Sequence, residues 1–236
     1  MKRFWDQASL TPTDTGHQLL LDGKPMRLPD GGTLTIAFPT LAAAIRDEWQ
    51  NAGGAKGQEF HHATHLPLTQ LHTTATHRIA PDRAAIISAI AAYGETDLLC
   101  YRAASPAILR ERQDHAWQPW LDWAALRLDA PLAVTEGIAH IAQPPASLHA
   151  LTAAVGALSD YELAALGVVV PATGSLILGL ALIKGAMTAV EANLAASIDE
   201  QYQTEFWGAD DEATNRADHV ATEIALAARF LELVKT

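Results

Sequence analysis

The stretch HQLLLDGKPMRLPDGGTLTIAFP, residues 17–39, decides what kind of fold begins this chain. It contains short β-prone runs separated by turn residues, at positions 17–21, 24–28 and 33–37. An Asp-Gly pair such as Asp22-Gly23 between two such runs is a hairpin signal, because both residues tolerate the positive φ of a tight turn. The stretch therefore predicts a small β-rich N-terminal region.

A helical pattern follows the β-prone region. Leu41, Ile45 and Trp49 recur at helical spacing, and Thr40 is placed to cap that helix. The segment NAGGAKGQ, residues 51–58, is a flexible, glycine-rich break and the best candidate for a linker.

Nearly all of the chain beyond the linker has helical patterns, with the segment 132–138 as a strand or an extended link. The predicted helices are 67–79, 82–93, 106–129, 146–157, 160–170, 174–185, 188–206 and 211–234. Thr188 and Glu191 match a capping box, which marks a helix start. We therefore predict an α+β fold, with a β-rich N-terminal subdomain at residues 1–58 that includes one helix, and a larger all-helical C-terminal subdomain at residues 59–236.

The composition excludes some classes of function. The 236 residues are 49% hydrophobic and 18% charged, which is typical of a folded chain with a sizeable core. A formal net charge of -11 argues against a nucleic-acid partner, since phosphates require clustered Lys and Arg. The single cysteine, Cys100, cannot form an internal disulfide, which fits a reducing compartment. We expect no secretory signal and no transit peptide, because MKRFWDQASL has no apolar run behind its basic residues.

One uncharged segment, residues 163–183, is about long enough to cross a membrane. Its middle contains Pro171, Gly174 and Ser175, in the order expected where one helix stops and another starts. We therefore predict two buried core helices and no stable membrane insertion.

The segment GETDLLCYR, residues 94–102, concentrates polar side chains. Glu95 and Asp97 could form a carboxylate pair for acid-base catalysis. The interpretation we favour is structural, with one of these acids capping a short helix and pairing with Arg102 or Arg78. Cys100 as a nucleophile would need a nearby base, and no pattern in the sequence brings His115 or His140 close to it.

Histidines are frequent between the linker and the first long helical segments. The cluster FHHATHLP contains His61, His62 and His65. It lacks the repeated Cys and His pairs of a structural zinc site and the H-E-x-x-H helix of a catalytic one. We interpret the cluster as a polar surface loop and predict no metal site.

The segment IDEQYQTEFWGADDEA, residues 198–213, mixes acids with aromatics. Exposed aromatics beside acids are typical of a protein-binding surface, where aromatic anchors dominate the affinity. Equally, the aromatics could pack on the core while the acids are solvated, and the spacing alone does not separate these readings.

Seven blocks of the sequence, in order, resemble the assembly chaperones of the ATP synthase catalytic head. The blocks are LLLDGKPMRLP, RDEW, LPLTQL, AYGETDLLCYRA, QPWLDW, TGSLILGLAL and DEQYQTEFWG. The resemblance covers nearly the whole chain, residues 3–233, although His77 stands where relatives have an acid before the residue equivalent to Arg78. It implies the same β-rich and helical subdomains, and binding of the newly made alpha subunit before it meets the beta subunit. It also implies no catalytic activity and no cofactor, and a bacterial cytoplasmic location because mitochondrial members carry transit peptides.

The resemblance, together with helical spacing, also suggests which residues serve partner binding and which serve structure. The partner-binding set lies in the last block: Asp199, Glu200, Gln203, Glu205 and Trp207. Asp199, Gln203 and Phe206 would share one helix face and Glu200 and Trp207 another, so one face could pack inward. The predicted structural polar network comprises Trp49, Glu95, Asp97 and Arg102. The alternative functions are a small-molecule hydrolase that uses Cys100 or the cluster His61, His62 and His65, and a membrane-associated helical protein.

Overall fold

The computed structural model describes residues 1–208 and 211–235, with the side chain of Ala213 left out. The described chain forms two compact units. The first contains Met1–Arg78 and the end of the chain from Arg229, and the second contains Ile79–Ala228. A small antiparallel sheet begins the first unit and helices dominate the second, so the predicted α+β class with a helical C-terminal part is confirmed.

The sheet of the first unit is built around one central strand. Its strands are β1 Ala8–Thr13, β2 Gly16–Leu21, β3 Lys24–Pro25 and β4 Thr35–Ile36. β2 pairs antiparallel with each of the others. Asp22 and Gly23, between β2 and β3, have φ angles of 48° and 75°. Positive φ at both positions is what a tight hairpin turn requires, so the Asp-Gly signal is confirmed.

β1 was not among the predicted strands. Its sequence, ASLTPT, lacks a clear alternation of apolar and polar residues and includes Pro12, which is tolerated because β1 lies at the edge of the sheet. The strand is instead specified by its ladder to β2, from Ala8 opposite Leu21 to Thr13 opposite Gly16. Tertiary pairing therefore overrides weak local preference here.

Three helices follow the sheet along the chain of the first unit. α1 spans Pro39–Asn51 and buries Leu41, Ile45 and Trp49. Its N-cap is Phe38, so the prediction of Thr40 as the cap was wrong; Pro39 occupies the first turn, where its fixed φ suits a helix start. α2 is a single turn, His62–His65, and α3 spans Pro67–Thr73 before a π-helical turn at Thr74–Ile79.

The glycine-rich segment 51–58 is bonded to the start of the chain inside the first unit. The guanidinium of Arg3 donates to the carbonyl oxygens of Gln50 at 2.7 Å and Gly54 at 2.6 Å, and Gly57 N–H donates to Arg3 O at 2.7 Å. The first compact unit continues past this segment to Arg78. A domain boundary after residue 58 stays a prediction.

The second unit consists almost entirely of helices. Its longer helices are α4 Arg83–Ala91, α5 Ala107–Leu128, α6 Pro145–Gly156, α7 Asp160–Thr173, α8 Leu176–Ile183, α9 Ala189–Ala196, α10 Ile198–Trp207 and α11 Asp211–Leu233, which ends in the first unit. Short 3₁₀ turns occupy Ala80–Asp82, Ala92–Glu95 and Leu98–Cys100. Two short strands, β5 Tyr101–Arg102 and β6 Thr135–Glu136, pair in parallel.

The apolar segment 163–183 folds as two helices, as predicted. α7 ends at Thr173 and is followed by Gly174, which has a positive φ of 67°. The side chain of Ser175 caps the start of α8 by accepting from Leu178 N–H. Every residue of α8 is buried, so this helix forms part of the unit's core. Within the described residues, no helix combines the length and apolarity needed to span a membrane.

The predicted helix 188–206 is two helices. The capping box of Thr188 and Glu191 starts α9 as expected. Ser197 then interrupts the path with a ψ of 20°, and its hydroxyl donates to Asn193 O at 2.7 Å. A serine hydroxyl that bonds back to the preceding turn competes with the helix, which explains the break.

Candidate functional site

The predicted partner-binding residues all lie on α10, which packs against α5 in the second unit. Asp199, in the first turn, accepts a hydrogen bond from Gln113 Nε2 at 2.6 Å. Gln113 is buried on α5, and its Oε1 accepts from Ala103 N–H at 2.6 Å. Gln113 therefore joins the start of α10 to the segment that precedes α5.

A second contact holds the other end of α10 to α5. Arg112 makes two hydrogen bonds to the carboxylate of Glu205, from Nη1 to Oε2 at 2.5 Å and from Nη2 to Oε1 at 3.2 Å. The same guanidinium lies 5.6 Å from the centre of the Tyr202 ring. The hydrogen bond from Arg112 lowers the pKa of Glu205, and the same bond raises the pKa of Arg112. Bidentate pairing of this kind fixes orientation as well as charge.

The aromatic residues of α10 divide between the core and the surface. Tyr202 is buried, whereas Phe206 is 55% exposed and Trp207 is 76% exposed. Glu200 and Gln203 are exposed as well. The prediction left open which of the two faces packs inward. Tyr202, which was in neither of them, is the ring that the helix turns toward α5, where it meets Arg112.

The carboxylate of Asp97 is the centre of the polar segment 94–102. It accepts hydrogen bonds from Leu99 N–H at 3.0 Å, from Ser175 Oγ at 2.8 Å and from Ile177 N–H at 3.0 Å. Asp97 thus caps the short helix after Gly94, as predicted for one of the two acids, and also binds the first turn of α8. Burial raises the pKa of Asp97 to about 6, against the opposing effect of these hydrogen bonds.

Arg102 has a different partner from the one expected. Its Nε donates to Asp114 on α5 at 2.8 Å, its Nη1 donates to Leu99 O, and its guanidinium lies 5.0 Å from the centre of the Trp117 ring. The predicted pairing of Arg102 with Glu95 or Asp97 was wrong, since the carboxylate of Asp97 is occupied by helix N–H groups and Glu95 is exposed.

Trp49 lies in the first unit and has its own partners there. Its side chain is buried, and its Nε1 donates to Thr69 Oγ1 at 3.2 Å. The ring centres of Trp5 and Trp49 are 5.1 Å apart, and Trp5 Nε1 donates to Trp49 O at 3.0 Å. Trp49 therefore belongs to a buried aromatic and polar cluster of the sheet-containing unit.

Arg112 and Gln113 are the residues of this site that sequence reasoning missed. Both lie on the long helix predicted at 106–129, but no local pattern pairs them with residues on a helix that starts at Ile198. Their only sequence signal is that they are adjacent and polar in the first half of the helix, with Gln113 one turn before Trp117 on the same face.

Comparisons with known proteins agree over nearly the whole chain. The sequence profile of the ATP12 chaperone protein family matches residues 2–125. The chain belongs to the ATP12 chaperone family. The crystal structure of Atp12 from Paracoccus denitrificans is similar to it with a TM-score of 0.88 and 37% identity, and the match covers 98% of this chain and 97% of the other.

Two further similar proteins come from other organisms. A solved structure from Agrobacterium tumefaciens has a TM-score of 0.87 and 35% identity, over 99% of this chain and 86% of the other. The mitochondrial protein atp12 of Schizosaccharomyces pombe is 24% identical over 224 residues, which are 90% of this chain and 75% of the yeast protein. Membership in this family makes the protein a chaperone of ATP synthase assembly.

The residues of the alternative hydrolase do not form a site typical of catalysis in this ATP12 chaperone. Cys100 is buried, and burial raises the pKa of its thiol to about 12, so the nucleophilic thiolate is not formed near neutral pH. His62 stacks on Phe60 with 5.5 Å between ring centres, and His65 Nδ1 lies 3.1 Å from His61 O. In the ranges that the structure describes, no group of three or more His, Cys, Asp or Glu side chains is arranged to hold a metal ion.

Proposed function

We propose that this ATP12-family chaperone binds the unassembled alpha subunit of the ATP synthase catalytic head and prevents its aggregation until the beta subunit arrives. Family membership supports the role in ATP synthase assembly. The alpha subunit as the partner rests on the resemblance of the seven sequence blocks. The likeness to Atp12 of Paracoccus denitrificans over 98% of the chain is the observation that carries the proposal.

The physical task of such a chaperone is to cover one exposed apolar surface of its partner. An unassembled subunit exposes an apolar surface that its neighbour covers in the finished complex, and large exposed apolar patches aggregate. A chaperone protects the subunit by covering this patch reversibly, with an affinity below that of the true neighbour. Competition from the neighbour then drives release, so we propose that the protein needs no nucleotide, cofactor or catalytic activity. A bacterial cytoplasmic location is part of the proposal and is supported by the relatives in Paracoccus and Agrobacterium.

We place the partner-binding surface on α10, with two kinds of residue. Glu200, Gln203 and Trp207 are exposed and are free to face a partner. Asp199 and Glu205 bond to Gln113 and Arg112 on α5, so their main role in this proposal is to hold α10 in place. Since the exposed acid Glu200 has no bonded cation among the described residues, it would attract a basic rim on the partner.

Glu200→Lys tests this placement. We expect capture of the alpha subunit in a pull-down to weaken, because the new cation would face a basic rim. Folding should stay nearly unchanged, since exposed substitutions usually alter the free energy of unfolding by no more than about 0.5 kcal/mol. Glu232→Lys, the same charge change at an exposed carboxylate of the first unit, is the matched control and should capture normally.

Thermal melts of each variant must accompany the pull-down. Glu205→Lys is a second variant, but it also removes the ion pair with Arg112 and so should melt somewhat earlier. Normal capture by both folded variants would move the site away from α10, with the β-rich subdomain as the next place to test.

A further inference from the structure

The end of α10 exposes two large aromatic rings at consecutive positions. Phe206 and Trp207 are 55% and 76% exposed, and both lie against the buried Tyr202, with ring centres at 4.5 Å and 6.2 Å. Aromatic side chains are enriched in protein interfaces, and Trp is among the residues that most often dominate their affinity. We call Phe206 and Trp207 the aromatic pair.

The aromatic pair lies on α10, and side chains of α5 bond to both ends of that helix. Gln113 bonds to Asp199 in the first turn, and Arg112 binds Glu205 with two hydrogen bonds one position before Phe206. Arg112 also lies over the ring of Tyr202, against which both members of the pair pack. Because the rings are held before any partner arrives, binding would lose little conformational entropy.

The charge around the aromatic pair selects the partner's chemistry. α10 contains three acids, Asp199, Glu200 and Glu205, and neither Lys nor Arg. Glu205 is paired with Arg112 and Asp199 is bonded to Gln113, so Glu200 is the carboxylate of α10 that stays open to a cation of the partner. An aliphatic segment flanked by Lys or Arg would meet both the rings and the acids, whereas an acidic segment would be repelled.

We propose that the aromatic pair is the anchor of this surface and that it binds an aliphatic segment with basic side chains beside it. The proposal rests on the proposed function, in which that segment belongs to the unassembled alpha subunit. In this proposal, Phe206 and Trp207 provide most of the affinity for the segment. Glu200 provides the selectivity for basic over acidic segments.

Fluorescence anisotropy with labelled peptides tests the ligand chemistry without the alpha subunit. The probe is an amphipathic peptide of leucine and arginine; one control peptide has serine in place of leucine, and another has glutamate in place of arginine. The protein should bind the leucine–arginine peptide and bind both controls at least roughly tenfold more weakly. Equal binding of the serine–arginine peptide would show attraction by net charge alone, and equal binding of the leucine–glutamate peptide would remove the selectivity; either result overturns the proposal.

Trp207→Ala should weaken binding of the leucine–arginine peptide by roughly tenfold or more, and Phe206→Ala should have a similar effect. Leu126→Ala is the matched control, because Leu126 is 81% exposed on α5 but lies fourteen positions, about 21 Å of helix, beyond Arg112. It should bind like the unaltered protein. Unchanged peptide binding by folded Trp207→Ala and Phe206→Ala variants would overturn the proposal.

Pull-down of the alpha subunit separates this proposal from the proposed function. If the unaltered protein binds the leucine–arginine peptide through Trp207 but does not capture the alpha subunit, the binding surface on α10 is supported and the proposed partner is wrong. If Trp207→Ala captures the alpha subunit as well as the unaltered protein does, the alpha subunit is supported as the partner, but the aromatic pair does not anchor it. Thermal melts confirm that each variant is folded.

Discussion

Replacing Asp97 by Asn should change how the stability of the protein depends on pH. The Asp97 carboxylate is buried and accepts hydrogen bonds from Leu99, Ser175 and Ile177. Burial raises its pKa from the ordinary 3.8 to about 6. The native state therefore binds a proton at Asp97 more tightly than the unfolded state does. An Asn side chain has nearly the same shape and does not titrate, so the pair of proteins isolates this one group.

The sign and size of the effect follow from proton linkage. Between the unfolded pKa of 3.8 and the folded pKa of about 6, the native state holds more protons, so acidification favours folding through this group. The contribution is present below the unfolded pKa and is lost as the pH rises through about 6. At about 1.36 kcal/mol for each pKa unit, the unaltered protein should gain about 2 kcal/mol relative to Asp97→Asn between pH 7.5 and pH 4.5.

Urea denaturation followed by circular dichroism measures this difference at each pH. Glu95→Gln, which removes an exposed carboxyl two positions away, is the control variant. Parallel curves for Asp97→Asn would refute the reasoning, because they would mean that the hydrogen bonds cancel the effect of burial. A relative loss of stability on acidification would refute it more strongly, since the hydrogen bonds would then outweigh burial.

Three further predictions follow from buried or bonded side chains. Trp49→Arg should cost roughly 3 to 5 kcal/mol, seen as insolubility or a large fall in melting temperature, because a charge would replace a buried ring that donates to Thr69; normal stability would contradict the buried cluster. Cys100 should resist iodoacetamide in the native protein and react after unfolding, as mass spectrometry would show, and rapid native labelling would contradict its raised pKa. Asp199→Asn keeps an acceptor for Gln113 and should capture the alpha subunit normally, whereas Asp199→Lys should lose capture and melt earlier; a capture defect in the folded Asn variant would give the Asp199 charge a direct role.

The features that the sequence predicted correctly are those with a local cause. The turn at Asp22-Gly23 needs only two residues that tolerate positive φ, and the start of α9 needs only Thr188 and a glutamate three positions later. The division of residues 163–183 into two helices likewise rests on Gly174. Each of these signals lies within a few residues of the structure that it specifies.

The features that could not be predicted depend on side chains far apart in the chain. Gln113 and Asp199 are 86 positions apart, and Arg112 and Glu205 are 93 positions apart. No periodicity of a single helix specifies which other helix it packs against. For the same reason, spacing alone did not separate an exposed aromatic from a buried one on α10, where the position of α5 determines that Tyr202 is the buried ring.

The most direct test of the central claim is light scattering by unassembled alpha subunit diluted from denaturant, with and without this protein and with no nucleotide present. We predict that an equimolar amount suppresses the scattering, and that later addition of beta subunit releases the alpha subunit from the complex. The Leu126→Ala variant should suppress scattering as well as the unaltered protein does. Scattering that rises equally with and without the protein, or suppression that requires ATP, would contradict the account.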